Sequence, residues 1–201
     1  MKRSILVALC VFASLYLESP TSCHSQGGAR TVPRALDQLV EEADLIVHGY
    51  VVSAKIEPHP QLHNLMTVVV TMSVKDTYKG APRKSLVFRQ YVWDIDRRHD
   101  LSEYGKGEEL ILLLGPVSEY GLTSPVGLEQ GRFRIVGDRD HPPTAVNGRG
   151  NVGLFDHVEE RARKQGLRLS QHTAALVKEH GAGPVLLADL EDAIRTLARM
   201  R

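Results

Sequence analysis

The sequence predicts a mainly β, α+β chain: a small antiparallel barrel of about five to six strands, with an N-terminal helix and C-terminal helices. Three observations lead there. Between residues 45 and 147, short β-rich runs follow one another without a helical period between them, which favours a barrel or sandwich over a parallel sheet. Apolar residues recur at helical spacing only near the two ends of that block. Gly49 interrupts the first strand-like run, where glycine marks a bulge or a bend sharp enough for a small barrel.

An export signal comes first. Lys2 and Arg3 precede an apolar run from Ile5 to Leu17, Glu18 and Pro20 end it, and the small residues Ser22, Cys23 and Ser25 follow. This is the basic, apolar, small-residue order of a secretory signal, and the run is shorter than the roughly 20 apolar residues of a spanning helix. Residues 1–25 are assigned to the signal, with Gln26 as the new N-terminus. The alternative is a lipoprotein signal cut before Cys23, although Pro20 stands where such a signal carries leucine. The expected location is secreted or periplasmic, or lipid-anchored through Cys23.

Residues 26–32 are glycine-rich and polar, a flexible lead-in. Pro33 suits a first helical turn, and Leu36, Leu39, Val40 and Ala43 follow at helical spacing to about Asp44. Leu45 to Ile56 is the first strand, and His59-Pro60 a loop. In the second strand Val68, Val70, Met72 and Val74 face one way, and Thr67, Thr71 and Ser73 the other. Lys79 to Pro82 turns into a third strand, Leu86 to Trp93. Leu110 to Leu114 is apolar on both faces, the mark of a central buried strand. Leu122 to Pro125 and Arg132 to Val136 are further strands, and Gly137 to Pro143 turns into Thr144 to Asn147. Helical segments follow at about 155–165 and 170–180. The last helix carries Leu187, Leu190, Ile194 and Leu197 on one face. The expected division is a barrel domain over 33–150 and a helical segment, 151–201, packing on or beside it.

Charge is balanced, with 25 Lys and Arg against 24 Asp and Glu. The signal carries Lys2, Arg3 and Glu18, so 23 of each remain beyond it. Such a chain lacks the field that draws nucleic acid, and no nucleic-acid partner is expected. Both cysteines, Cys10 and Cys23, fall in the signal, so the mature chain has no disulfide. No segment of it is apolar enough to span a bilayer.

Ala43-Asp44-Leu45-Ile46-Val47-His48-Gly49-Tyr50-Val51, the strand ending Tyr78-Lys79-Gly80, and Gly107-Glu108-Glu109-Leu110-Ile111-Leu112-Leu113 together resemble netrin-like domains and tissue inhibitors of metalloproteinases. With Gln130-Gly131-Arg132-Phe133-Arg134-Ile135, the order also resembles an exported, uncharacterised bacterial family. The resemblance covers residues 43–136. It implies an OB-like, five-stranded barrel that binds across one face or through its loops. In the inhibitors an N-terminal cysteine chelates the target's zinc, a role that only cleavage directly before Cys23 would give this chain.

The candidate chemistry is sparse. His59 and His63 are four positions apart, a metal-sharing spacing on a helix, but Pro60 argues for a loop and nothing nearby completes a tetrahedral set. They are weak metal candidates, and no metal or cofactor is expected. His48, beside Gly49, reads as a packed or edge histidine. Asp94, Asp96, His99 and Asp100 form a polar loop whose spacing does not fit an EF-hand and whose charge Arg97 and Arg98 offset. Gly148 to Gly153 matches G-x-G-x-x-G without the parallel unit that gives the motif meaning, and reads as a turn. Glu108 and Glu109 alternate across a strand and cap its start. The expected function is a non-enzymatic, exported binding module for a protein or cell-envelope partner. The alternatives are an inhibitor of a secreted metalloprotease and a metal-dependent hydrolase using the polar loops.

Overall fold

A computed structural model describes residues 32–92, 104–137 and 140–199. The signal segment with Cys10 and Cys23, most of the lead-in, and the Asp94–Asp100 loop lie outside the described residues.

Helix α1 (Leu36–Glu42) is short and one-sided, burying Leu36, Leu39 and Val40. Its first turn is closed by Gln38, whose Oε1 accepts the Ala35 backbone N–H at 3.0 Å. Its last carbonyls, Val40 and Glu41, accept from Lys79 Nζ, a cation at the negative end of the helix. Two long strands follow, β1 (Leu45–Pro58) and β2 (Met66–Lys79), then β3 (Ser85–Tyr91) and β4 (Glu109–Leu114). Strand β4 is buried from Leu110 to Leu114, as its unbroken apolar run predicts. A 3₁₀ turn (Leu128–Gly131) leads into β5 (Arg132–Val136) and β6 (Thr144–Asn147). Helices α2 (Val158–Lys164) and α3 (Gln171–Glu179) precede the two-residue β7 (Val185–Leu186) and α4 (Leu187–Ala198). Helix α4 buries Leu187, Leu190, Ala193, Ile194 and Leu197, the single face that its periodicity marks.

Among the described residues all seven strands belong to one antiparallel sheet in the order β3-β2-β1-β4-β5-β6-β7. The sheet is open, with β3 and β7 as its edges. The expectation of a closed, OB-like barrel of five to six strands is therefore wrong, and with it the resemblance to netrin-like domains, metalloproteinase inhibitors and the exported bacterial family. Closure requires the first and last strands to meet at a consistent tilt and stagger. Here β6 pairs beyond β5, and β7 pairs beyond β6, carrying the sheet away from β3. The fold is mixed α/β, a large antiparallel sheet with N- and C-terminal helices.

Two apolar cores lie on the two sides of this sheet. One joins α1, α2 and α4 to Ile46, Ile111, Leu113, Phe133 and Ala145. The other joins Val47, Val51, Val68, Val70, Met72, Phe88, Leu110 and Leu112 from β1 to β4, with Tyr104. Tyr104 donates to Gln90 Oε1 at 2.7 Å and meets Phe88 edge-on, ring centres 5.8 Å apart. No helix among the described residues is long and apolar enough to cross a membrane.

Candidate functional site

Among the described residues a dense polar cluster is gathered around His48, and irregularities in the β1–β2 ladder put it there. The register shifts on both sides of His48. On β2 the residues left without a partner are Lys75, between the pairs His48–Asp76 and Gly49–Val74, and Tyr78, between Ile46–Lys79 and Val47–Thr77. A bulge re-aims the extra side chain, and both of these turn toward His48 and its partners. Gly49 permits the tight pairing: a Cβ there would lie 2.2 Å from the Ser73 carbonyl oxygen.

His48 is 1% exposed. Its Nε2 lies 2.9 Å from Glu109 Oε1 on β4, and its Nδ1 lies 3.0 Å from Glu191 Oε1 on α4. Tyr78 donates its hydroxyl to the same Glu191 oxygen at 2.7 Å. Lys75 Nζ reaches Glu109 at 3.3 Å. Arg195 reaches Glu191 at 3.6 Å and Asp76 at 2.9 Å, with its guanidinium 4.8 Å from the Tyr78 ring centre. With His48 charged, the series Lys75, Glu109, His48, Glu191, Arg195, Asp76 alternates in sign. It begins and ends on neighbouring residues of β2.

The titrations follow this arrangement. Burial pushes Glu109 up, but hydrogen bonds from Tyr50, His48 and Lys75 outweigh it and hold the carboxyl below its usual range. The Arg195 hydrogen bond does the same for Asp76. Burial, then Glu191, pushes the Tyr78 hydroxyl up, so it stays protonated and keeps donating. A cavity of about 350 Å³ adjoins the cluster, walled by His48, Lys75, Pro143, Leu187, Glu191 and Arg195.

A second feature is an open groove of about 600 Å³ between the end of β3 and the segment 115–128. Tyr91, Pro116, Leu122, Pro125 and Leu128 line it, and the nearby Val117 and Tyr120 are exposed. The segment is held in place. Arg89 O accepts from Thr123 N at 2.9 Å, Thr123 Oγ1 donates to Gly115 O at 2.7 Å, and Leu114 bridges Pro125.

His59 belongs to that segment's support. It is 2% exposed. Its Nδ1 accepts from the backbone N–H groups of Gln61 and Leu62, which leaves Nε2 as the donor, 2.8 Å from Tyr120 O. His63 is exposed on the same loop. Among the described residues no group of three His, Cys, Asp or Glu is placed to hold a metal ion. Gly148 to Gly153 forms a turn whose interior is filled by the Asn147 and Asn151 side chains. Glu108 accepts from the Gly105 N–H at 3.0 Å, a loop-closing role, whereas Glu109 faces His48.

Sequence reasoning missed Glu109 as a partner, and also Lys75, Tyr78 and Glu191. The alternation that separates Glu108 from Glu109 was the available signal; it sends Glu109 to the side where α4 packs. Comparison with known proteins finds no match to a family model, to a curated protein or to a solved structure.

Proposed function

We propose that the protein is an exported, non-enzymatic binding module that recognises a protein or cell-envelope partner through the groove between β3 and residues 115–128. The carrying observation is that groove: largely apolar walls from Tyr91, Pro116, Leu122, Pro125 and Leu128, with exposed Val117 and Tyr120 beside it. Exposed aromatic and aliphatic groups in one place are what binding surfaces use as anchors. The hydrogen bonds that fix the segment support the reading further, because a loop already ordered loses less freedom when it binds. Export rests on the basic, apolar, small-residue order of residues 1–25.

The test is site-specific photo-crosslinking on cells that express the full chain. A photoreactive residue at Val117 is expected to trap one discrete partner, and Tyr120→Asp to abolish the adduct while leaving the melting temperature in place. The same probe at exposed Val152 is the control. Adducts at 117 that match those at 152, or that survive Tyr120→Asp, would remove the groove from the reading. Turnover of any compound in a broad substrate panel, lost with a single substitution, would replace the reading with an enzymatic one.

A further inference from the structure

We propose that His48 is a proton-governed latch that fastens α4 to the sheet and loosens it, opening the adjoining cavity, when the ring loses its charge. This stands apart from the groove and does not depend on it.

A neutral imidazole has one N–H and one lone pair; the imidazolium has two N–H groups. Nε2 of His48 faces Glu109 and Nδ1 faces Glu191. Tyr78 lies 3.3 Å from Nδ1, but its one hydroxyl proton points to Glu191 at 2.7 Å. With the Tyr78 proton on Glu191, both nitrogens face acceptors, and in that arrangement only the imidazolium donates to both sides. Deprotonation sets a lone pair against a carboxylate oxygen about 3 Å away, where the ring is shielded from water.

The two sides of the ring are not equally strong. Glu109 is on the central strand β4 and is also held by Tyr50 and Lys75. Glu191 is on α4, an outer helix, with Tyr78 and Arg195 as its other partners. The backbone that carries Glu109 is fixed in the β1–β4 ladder. The link to Glu191 is the one that gives. Around His48 the charged and titratable groups are Tyr50 on β1, Lys75, Asp76 and Tyr78 on β2, Glu109 on β4, and Glu191 and Arg195 on α4. Lys75 and Arg195 flank the two carboxylates with positive charge, and histidine is the residue type that ordinarily exchanges its proton near neutrality. The cavity of about 350 Å³ lies between Lys75, Asp76 and the start of α4, so a loosened α4 widens it.

The experiment measures the His48 ring titration by NMR and, in parallel, amide protection factors by hydrogen exchange corrected for intrinsic rates. As pH rises through the His48 midpoint, protection within 187–198 is expected to fall about tenfold, on the order of one hydrogen bond to a charged group lost, while β4 amides hold. In Glu191→Gln the α4 protection is expected to be low and flat across the same range. His48→Gln, which cannot take up the proton, is expected to show no pH step in α4 protection; should it fail to fold, Glu191→Gln keeps the test intact. Wild-type α4 protection equal on both sides of the midpoint, or a fall that persists unchanged in Glu191→Gln, overturns the latch.

Discussion

Asn147 Oδ1 accepts the backbone N–H of Asn151 at 2.9 Å, and Asn151 Oδ1 accepts the backbone N–H of Asn147 at 2.9 Å. The pair also reaches outward. Asn151 donates to Ala145 O and Gly183 O, and Asn147 to Gln130 O. Asn151 is fully buried and sits at φ 58°, a conformation that asparagine tolerates better than most residues. Asn151→Ala leaves several buried backbone groups without a partner, each costing about 1–3 kcal/mol. The expected loss is about 3 kcal/mol, read as a shift of the urea midpoint at unchanged slope. A loss below about 0.5 kcal/mol, the scale of a surface substitution, would show that the turn holds without its asparagines.

Gly49→Ala is the second prediction. Its Cβ would meet the Ser73 backbone, which cannot swing aside as a side chain can. Destabilisation of about 3 kcal/mol is expected, at the upper end of overpacking costs. Thermal unfolding checks it, and an unchanged melting temperature counts against the close approach of β1 and β2.

The third prediction concerns α1 and α2. Arg161 Nη2 donates to Asp37 Oδ1 at 2.8 Å, and Nε to the other oxygen, with Asp37 5% exposed. Arg161→Ala strands a buried carboxylate. The cost expected is about 2 kcal/mol, reduced from the fully buried case because Arg161 is partly in solvent. Adding Asp37→Asn should return part of it. A double-mutant cycle with no coupling energy would mean that the pair does not join the helices.

Acid stability is the fourth. Glu109 and Asp76 are both held below their usual values of 4.5 and 3.8 in the folded chain. Groups depressed by folding contribute stability above their unfolded values, and that contribution drains away as pH falls through the folded ones. Stability is therefore expected to decline from about pH 5 downward, with a shallower decline in Glu109→Gln. Urea titrations at a series of acid pH values measure it. Equal slopes for wild type and variant would exclude Glu109 from the linkage.

Much of the fold was legible because its elements are long or strongly periodic. Helix α4 shows its buried face in Leu187, Leu190, Ile194 and Leu197, and β4 its two-sided burial in five consecutive aliphatic residues. The openness of the sheet was not legible. It depends on β6 and β7, of four and two residues, too short to display a period, and on which distant edges meet. The site was legible only at His48, which its sequence marks as a packed or edge histidine and the structure buries. Its partners at 109 and 191 are 61 and 143 positions away, and no local pattern joins them. Lys75 and Tyr78 were hidden for another reason: a register shift leaves no mark in a hydrophobic pattern. His59 reads as a weak metal candidate because His63 is close in sequence, whereas its acceptor, Tyr120 O, lies 61 residues away.

The two extra residues of β2 carry a consequence for how this cluster is gained and lost. Deleting Lys75 brings Val74–Gly49 and Asp76–His48 into direct succession, and deleting Tyr78 does the same for Thr77–Val47 and Lys79–Ile46. In either case every remaining pair keeps its partner and its face. The charged cluster is therefore encoded by chain length as much as by residue identity. One codon removed dismantles half of it and leaves the β1–β2 pairs in register, and one codon inserted into a plain ladder is enough to begin building it.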